Sequence, residues 1–448
     1  MKAIRASCLS FNNDPHDGSV ASSWDWFADG GLLVDDRGLI VSCGPWASLV
    51  PQLGSAVQQI DRRGQLLMPG FIDTHVHGAQ MDVIASYGTQ LLDWLERYTF
   101  PAELKFAQSE HAAHSARLFV SELLRHGTTC AAVWPTVHPQ SVDALFSEAA
   151  NKNMRLIAGK VLMDQHCPDG LRDVSVSIAE QQCRALIERW HAHKRLAYAL
   201  TPRFAVATSE PLMRMAGRLF ADIPGLYMQN HVAENHAEIA WVKSLYPQSR
   251  SYLDVYAQMG FLAQRSIFAH CIWFDDADWR AMQASGSSIA FCPTSNLFLG
   301  SGLFDCANAD AHQIPVGLAT DVGGGTSLSM LRTMAEAYKV LQMRGQTLNP
   351  LKAFYLSTLG GARALDIHDR VGRLRVGYEA DLVLLNWSND PLSEHRTALA
   401  QTLPDQLFAL MTLGDDRNVV ETYVMGELMA KPVVTSVVTS VATSVASH

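Results

Sequence analysis

Two histidines separated by a single residue, His75 and His77 in Pro69-Gly-Phe-Ile-Asp-Thr-His-Val-His77, are the first chemically suggestive feature of this chain. In an extended strand, residues two apart face the same side, roughly 6–7 Å apart along the backbone, so both imidazoles can turn toward one ion. Alone, the pair serves equally well as two ordinary core histidines. Three further residues change that balance. His231 closes the run that begins at Leu226, His270 closes Ser266-Ile-Phe-Ala, and Asp321 closes Val316-Gly-Leu-Ala-Thr. Four neutral imidazoles and a carboxylate are borderline donors that favour zinc, with iron or another divalent ion as alternatives. Glu234 follows His231 at i+3. If the chain turns into helix there, that spacing returns the carboxylate to the same side, where hydrolysis of a poor leaving group needs a proton carrier. The plainer reading is an acidic residue favouring the dipole of a helix start.

These groups need a scaffold that brings distant strand ends to one place. Short apolar runs alternate with longer amphipathic stretches at Leu67–Val76, Thr128–Trp134, Arg155–Met163, Leu196–Phe204, Leu226–Val232, Ser266–Ile272, Ser288–Cys292 and Val316–Thr320. Eight parallel strands close a barrel, and side chains at their C-terminal ends meet at one mouth. Between them lie helical patterns such as Glu110–His126, with Gly127 as the stop signal. The fold class is therefore α/β, a (βα)8 barrel. The flanks contain short strands and tight turns, such as Asp36-Arg-Gly38, and neither can cover its own sheet. Residues 1–66 and 371–432 are expected to pair into one small β-sandwich beside a barrel over 67–370. The Val/Thr/Ser-rich stretch 433–448 reads as a low-complexity tail.

Composition narrows the function. At 448 residues and 48% hydrophobic side chains the chain can bury a full-sized core. A net charge of −9 with no long basic run speaks against a nucleic acid polymer as partner. No apolar window approaches a membrane span and no export signal opens the chain, so a cytoplasmic protein without a membrane partner is expected. The eight cysteines are scattered without a CxxC pair and read as buried reduced thiols. Gly323-Gly-Gly325 lacks the spacing of a phosphate cradle and reads as a sharp backbone exit beside Asp321. His166, His236 and His312 are expected in surface or structural roles.

Several blocks together resemble a known family. Beside the HxH block stand Gly159-Lys-Val-Leu-Met-Asp164, Thr201-Pro-Arg-Phe204, His231-Val-Ala-Glu234-Asn, Ala269-His270, Cys292-Pro-Thr-Ser-Asn296-Leu-Phe-Leu-Gly and Ala319-Thr-Asp321-Val-Gly-Gly-Gly. The set resembles the amidohydrolase superfamily and, within it, the guanine deaminase branch. The resemblance spans nearly the whole chain to about Met429. It implies one zinc per chain on His75, His77, His231, His270 and Asp321, and a homodimer. It also implies hydrolytic deamination of a purine base, guanine, to xanthine and ammonia. Glu234, Asp321 and His270 would be the catalytic groups, with Asp321 taking up the water proton and Glu234 protonating the ring nitrogen next to C2. His231 and Glu234 would also touch the substrate, Gln80 and Arg203 would read the guanine edge, and Phe204 would stack on the ring. Neighbours in a strand face opposite ways, so Arg203 and Phe204 both reach a ligand only if the strand has ended before them. The fourth predicted strand ends without the lysine that bridges two metals in parts of this superfamily, so Lys160 is not expected to be carbamylated. Two rivals stand: a related hydrolase acting on cytosine, an adenosine derivative or a triazine, and a catalytically dead barrel that would have lost ligands or the acid.

Overall fold

The computed structural model describes residues 1–16, 21–88 and 90–430, and the expected tail over 433–448 lies outside them. The barrel strands run Phe71–His77, Thr128–Trp134, Arg155–Ala158, Leu196–Pro202, Tyr227–Val232, Ser266–His270, Ser288–Phe291 and Val316–Leu318. Each pairs with the next in parallel register. Their apolar residues are buried on both faces, which is why they read as continuous hydrophobic runs rather than alternating ones.

Two of the expected strands are broken. The run from Leu67 divides at Gly70: Gln58–Pro69 belongs to the flanking sheet, and only Phe71–His77 enters the barrel. The run Arg155–Met163 divides at Gly159 and Lys160 into Arg155–Ala158 and Val161–Leu162, both paired with Leu196–Pro202. A Cβ at Gly159 would stand 1.7 Å from the Ala199 carbonyl oxygen, so the backbones approach there more closely than a side chain allows. The helix expected over Glu110–His126 spans Ser109–Arg125, and buries Phe119, Val120, Leu123 and Leu124 against the sheet.

The flanks join in one continuous seven-stranded ladder. Lys2–Phe11 lies between Trp24–Val34 and Gln58–Pro69, while Leu382–Leu385 runs antiparallel to Leu66–Pro69. In the C-terminal flank from Val371, expected to hold short strands and tight turns, the first strand begins at Leu382; the chain before it is turns, where the Tyr378 carbonyl accepts from the Ile40 amide.

The barrel seam, where first and last strands meet, is closed by side chains as well as backbone. The Asp321 amide donates to the His75 carbonyl at 2.9 Å, and the His77 amide to the Val322 carbonyl at 2.8 Å. Asp73, fully buried, accepts from the Thr320 hydroxyl and, at 3.1 Å, from the Thr320 amide. Burial pushes its carboxyl up to about 7, opposed by those Thr320 bonds. Removing it strands a buried amide and hydroxyl. Asp73→Ala is expected to lose about 1–3 kcal/mol, read as a lowered urea midpoint at unchanged slope.

Candidate metal centre and active site

The C-terminal ends of the first, fifth, sixth and eighth strands deliver His75 and His77, His231, His270, and Asp321 to one point. Asp321 Oδ1 lies 3.2 Å from His75 Nε2 and 3.3 Å from His77 Nε2; its Oδ2 lies 3.8 Å from His270 Nε2. His231 Nε2 stands 3.2 Å from His77 Nε2. Donor atoms of His75, His77, His231 and Asp321 all fall within 4.8 Å of one another, and His270, Cys292 and Asp321 form a second such group. All five expected ligands are thus brought together, and Cys292, read from sequence as an ordinary buried thiol, adjoins them.

Hydrogen bonds occupy the outward nitrogens of two of these rings. His231 Nδ1 donates to the Arg203 carbonyl at 2.9 Å, and His270 Nδ1 to Asn296 Oδ1 at 2.8 Å. Such outward bonds fix the tautomer and aim the other nitrogen. His75 Nε2 and His270 Nε2 are buried without a hydrogen-bond partner. Burial presses His75, His77 and His231 below the ordinary histidine value, His77 to about 4, so these imidazoles are neutral donors. Burial works against ionisation of Asp321, but the facing His75 and His77 hold its carboxyl well below the usual range. Orphaned nitrogens around a carboxylate fit a divalent cation by the chemistry of the donor set.

Backbone strain sets two of these side chains. His270 has φ of 73° and Asp321 of 49°, both in the left-handed region that L-residues seldom occupy. Beyond Asp321 the chain turns so tightly that a Cβ at Gly325 would stand 1.7 Å from the Thr320 carbonyl oxygen. That is the sharp exit expected of the glycine run.

Glu234 reaches the same cavity by a route other than the helical return expected of it. The helix begins only at His236, with Asn235 as its N-cap; Ala233, at φ 50°, turns the chain instead. Glu234 Oε2 lies 3.3 Å from His270 Nε2, and Oε1 accepts from Ser301 Oγ at 3.0 Å. Burial, aided by the Asp321 charge, pushes its carboxyl up to about 8.

One cavity beside these groups is lined by His77, Gln80, Arg203, Phe204, Glu234 and Asp321. The fourth strand ends at Pro202, so Arg203 and Phe204 follow it as loop and both line this cavity. Arg203 Nη1 donates to both oxygens of Glu103 at 2.7 Å, and Gln80 Nε2 donates to Glu103 Oε1 at 3.1 Å. The rim-type ion pair that competes with substrate contact in any reading of Arg203 therefore exists, yet its carboxylate is fully buried.

Glu103, Glu238 and Asn296 are the residues that sequence reasoning passed over. Glu238 accepts from Tyr252 OH at 2.8 Å and from the Glu234 amide at 3.2 Å; burial and then the Glu234 charge push it up to about 7. Lys160 pairs with buried Asp173 and donates to the Val161 carbonyl at 3.2 Å, away from the donor cluster. His166, His236 and His312 pack on Trp241, Trp273 and Trp279.

Asn296→Ala removes the bond that aims His270. It is expected to weaken metal affinity roughly 10- to 100-fold, measured by competition with a chelating dye, while the melting profile of the metal-free protein moves little.

The sequence profile of the Amidohydrolase family matches residues 66–429. The guanine deaminase of Escherichia coli (strain K12) is 46% identical over 429 residues, which cover 96% of this chain and 98% of that protein. A solved structure of the E. coli guanine deaminase superposes with a TM-score of 0.94, at 45% identity, over 96% of this chain and 100% of its own. The guanine deaminase of C. acetobutylicum, solved with guanine bound in its active site, is 28% identical with a TM-score of 0.85, covering 95% of this chain and 99% of its own.

Proposed function

The chain belongs to the amidohydrolase family, and on that premise we infer that it hydrolyses guanine to xanthine and ammonia. The observation that carries the reading is a single cavity lined by two chemically opposite sets of groups. Its lining joins imidazoles and a carboxylate suited to a cation with Arg203 and Gln80, which carry N–H donors, and the aromatic ring of Phe204. Guanine has a 2-amino group to lose and ring acceptors at its far edge, so it complements both. That guanine deaminases are the relatives matched over nearly the whole chain supports the same substrate.

His75, His77, His231, His270 and Asp321 would hold the ion, zinc on this reading, and one per chain, because Lys160 is committed to Asp173. A divalent cation bound there supplies Lewis-acid polarisation and makes water nucleophilic near neutral pH. Asp321, anionic beside the imidazoles, takes up the proton that water sheds as it adds to C2. Glu234, pushed up to about 8, is protonated at neutral pH and delivers its proton to the ring nitrogen next to C2. Glu234 then takes the proton of the C2 hydroxyl as the carbonyl forms and passes it to the departing amine, and the proton held by Asp321 returns to Glu234, so that one water is consumed, one ammonia leaves and both carboxyls are restored. Ser301 holds the carboxyl of Glu234 in place for both transfers. His231 contacts the substrate from the ion side. Phe204 stacks on the ring, and Arg203 and Gln80 bind its edge. A cytoplasmic homodimer completes the reading by its likeness to the family; no described helix is long and apolar enough to cross a membrane.

A related heterocycle is the weaker alternative, since the curated guanine deaminases of E. coli and Rattus norvegicus match at 46% and 34% identity, whereas solved triazine hydrolases match at only 19–20% and share the fold alone. A dead barrel is weaker still, because every ligand position and the acid are filled. Ammonia release across a panel of guanine, adenine, cytosine and a triazine tests the reading: guanine is expected to dominate, and preferential turnover of another base overturns it. Glu234→Gln is expected to retain its metal while kcat falls by about 10²–10⁴, as for loss of an acid–base group. A near-normal kcat refutes that role.

A further inference from the structure

Resting on the guanine reading above, we propose that Glu103 is a positioning residue that makes the substrate-edge wall of the cavity a donor-only surface. Glu103 lies in the short helix Phe100–Leu104, within the irregular segment that joins the first barrel strand to the helix at Ser109. Its side chain is wholly buried, and its partners are Arg203 and Gln80, the two polar residues of that wall.

The bonds fix which atoms those two residues have left to offer. One N–H of the Gln80 amide goes to Glu103 at 3.1 Å, while its oxygen accepts from the Gly323 amide at 3.4 Å. With its oxygen engaged by Gly323 and one N–H by Glu103, Gln80 keeps its second N–H for the cavity it lines. Arg203 spends Nη1 on the carboxylate, and Phe100 packs against its guanidinium at 5.4 Å. Its other N–H groups are then held in a fixed fork. An acceptor-only carboxylate is the one group that can hold both neighbours in this sense, because any amide there would also donate and permit Gln80 to reverse.

A base with its 2-amino group beside Glu234 and Asp321 directs O6 and N7, both acceptors, toward this wall. A 6-amino purine would direct a donor at donors. Glu103 thereby acts on selectivity through Arg203 and Gln80 without touching the reacting atoms.

The test compares the KM for guanine with the Ki of 2-aminopurine, which carries the same amine and lacks the 6-oxygen, in metal-loaded protein. Glu103→Gln is expected to raise the guanine KM roughly 10- to 100-fold, the scale of one charge-assisted hydrogen bond. Its kcat should stay within about threefold of wild type, and its 2-aminopurine Ki should shift by no more than that. In an Arg203→Met, Gln80→Leu background the same substitution is expected to add almost nothing, since both routes of action are gone. An unchanged guanine KM, or equal weakening of both ligands, overturns the proposal and leaves Glu103 an ordinary buried ion-pair partner. Should Glu103→Gln fail to fold, Glu103→Asp, which keeps the charge but withdraws it by one methylene, is read by the same comparison. A wild-type protein that ignores guanine altogether would instead overturn the function proposed above.

Discussion

A buried imidazole nitrogen without a partner costs free energy, and the barrel mouth contains two of them, His75 Nε2 and His270 Nε2, facing the Asp321 carboxylate. Much of the surrounding structure is organised to keep them so. Asn296 and the Arg203 carbonyl occupy outward nitrogens of His270 and His231, which prevents those rings from turning away. Burial keeps the imidazoles of His75 and His231 neutral, and the seam between the first and last strands holds Asp321 against His75. A cation relieves the unsatisfied nitrogens and the negative charge together.

The site's geometry also depends on unfavourable backbone. His270 and Asp321 sit at positive φ, and the chain beyond Asp321 passes where no Cβ fits at Gly325. Such conformations each cost on the order of 1–3 kcal/mol and persist only when the neighbours over-determine them. For Asp321 the neighbours are the seam bonds and the buried Asp73–Thr320 contact, which anchor the residues on either side of it. Stability in the barrel body thus maintains strain at the mouth.

The architecture and the five donors were legible because both follow from local pattern. Each donor ends an apolar run, and apolar runs in this fold are strands. What local pattern misplaced was the chain between runs. Gly70 and Gly159 interrupt stretches whose hydrophobicity continues; a Cβ would meet the Thr129 side chain at Gly70 and the Ala199 carbonyl at Gly159, close approaches that composition does not display. Glu234 was found through helical spacing, though a positive-φ turn at Ala233 is what aims it. Glu103 escaped notice because its partners lie 23 and 100 residues away, in a segment without periodicity. The one available signal was a lone carboxylate among the apolar residues of Phe100–Leu104.

The seam has a consequence for how the molecule comes into being. Asp73 and Thr320 are separated by 247 residues, and the flanking sheet pairs Leu66–Pro69 with Leu382–Leu385. Neither layer can finish while the ribosome still holds the second half of the chain. The early histidines therefore wait, without their carboxylate, through most of synthesis, and the donor set is complete only late in maturation.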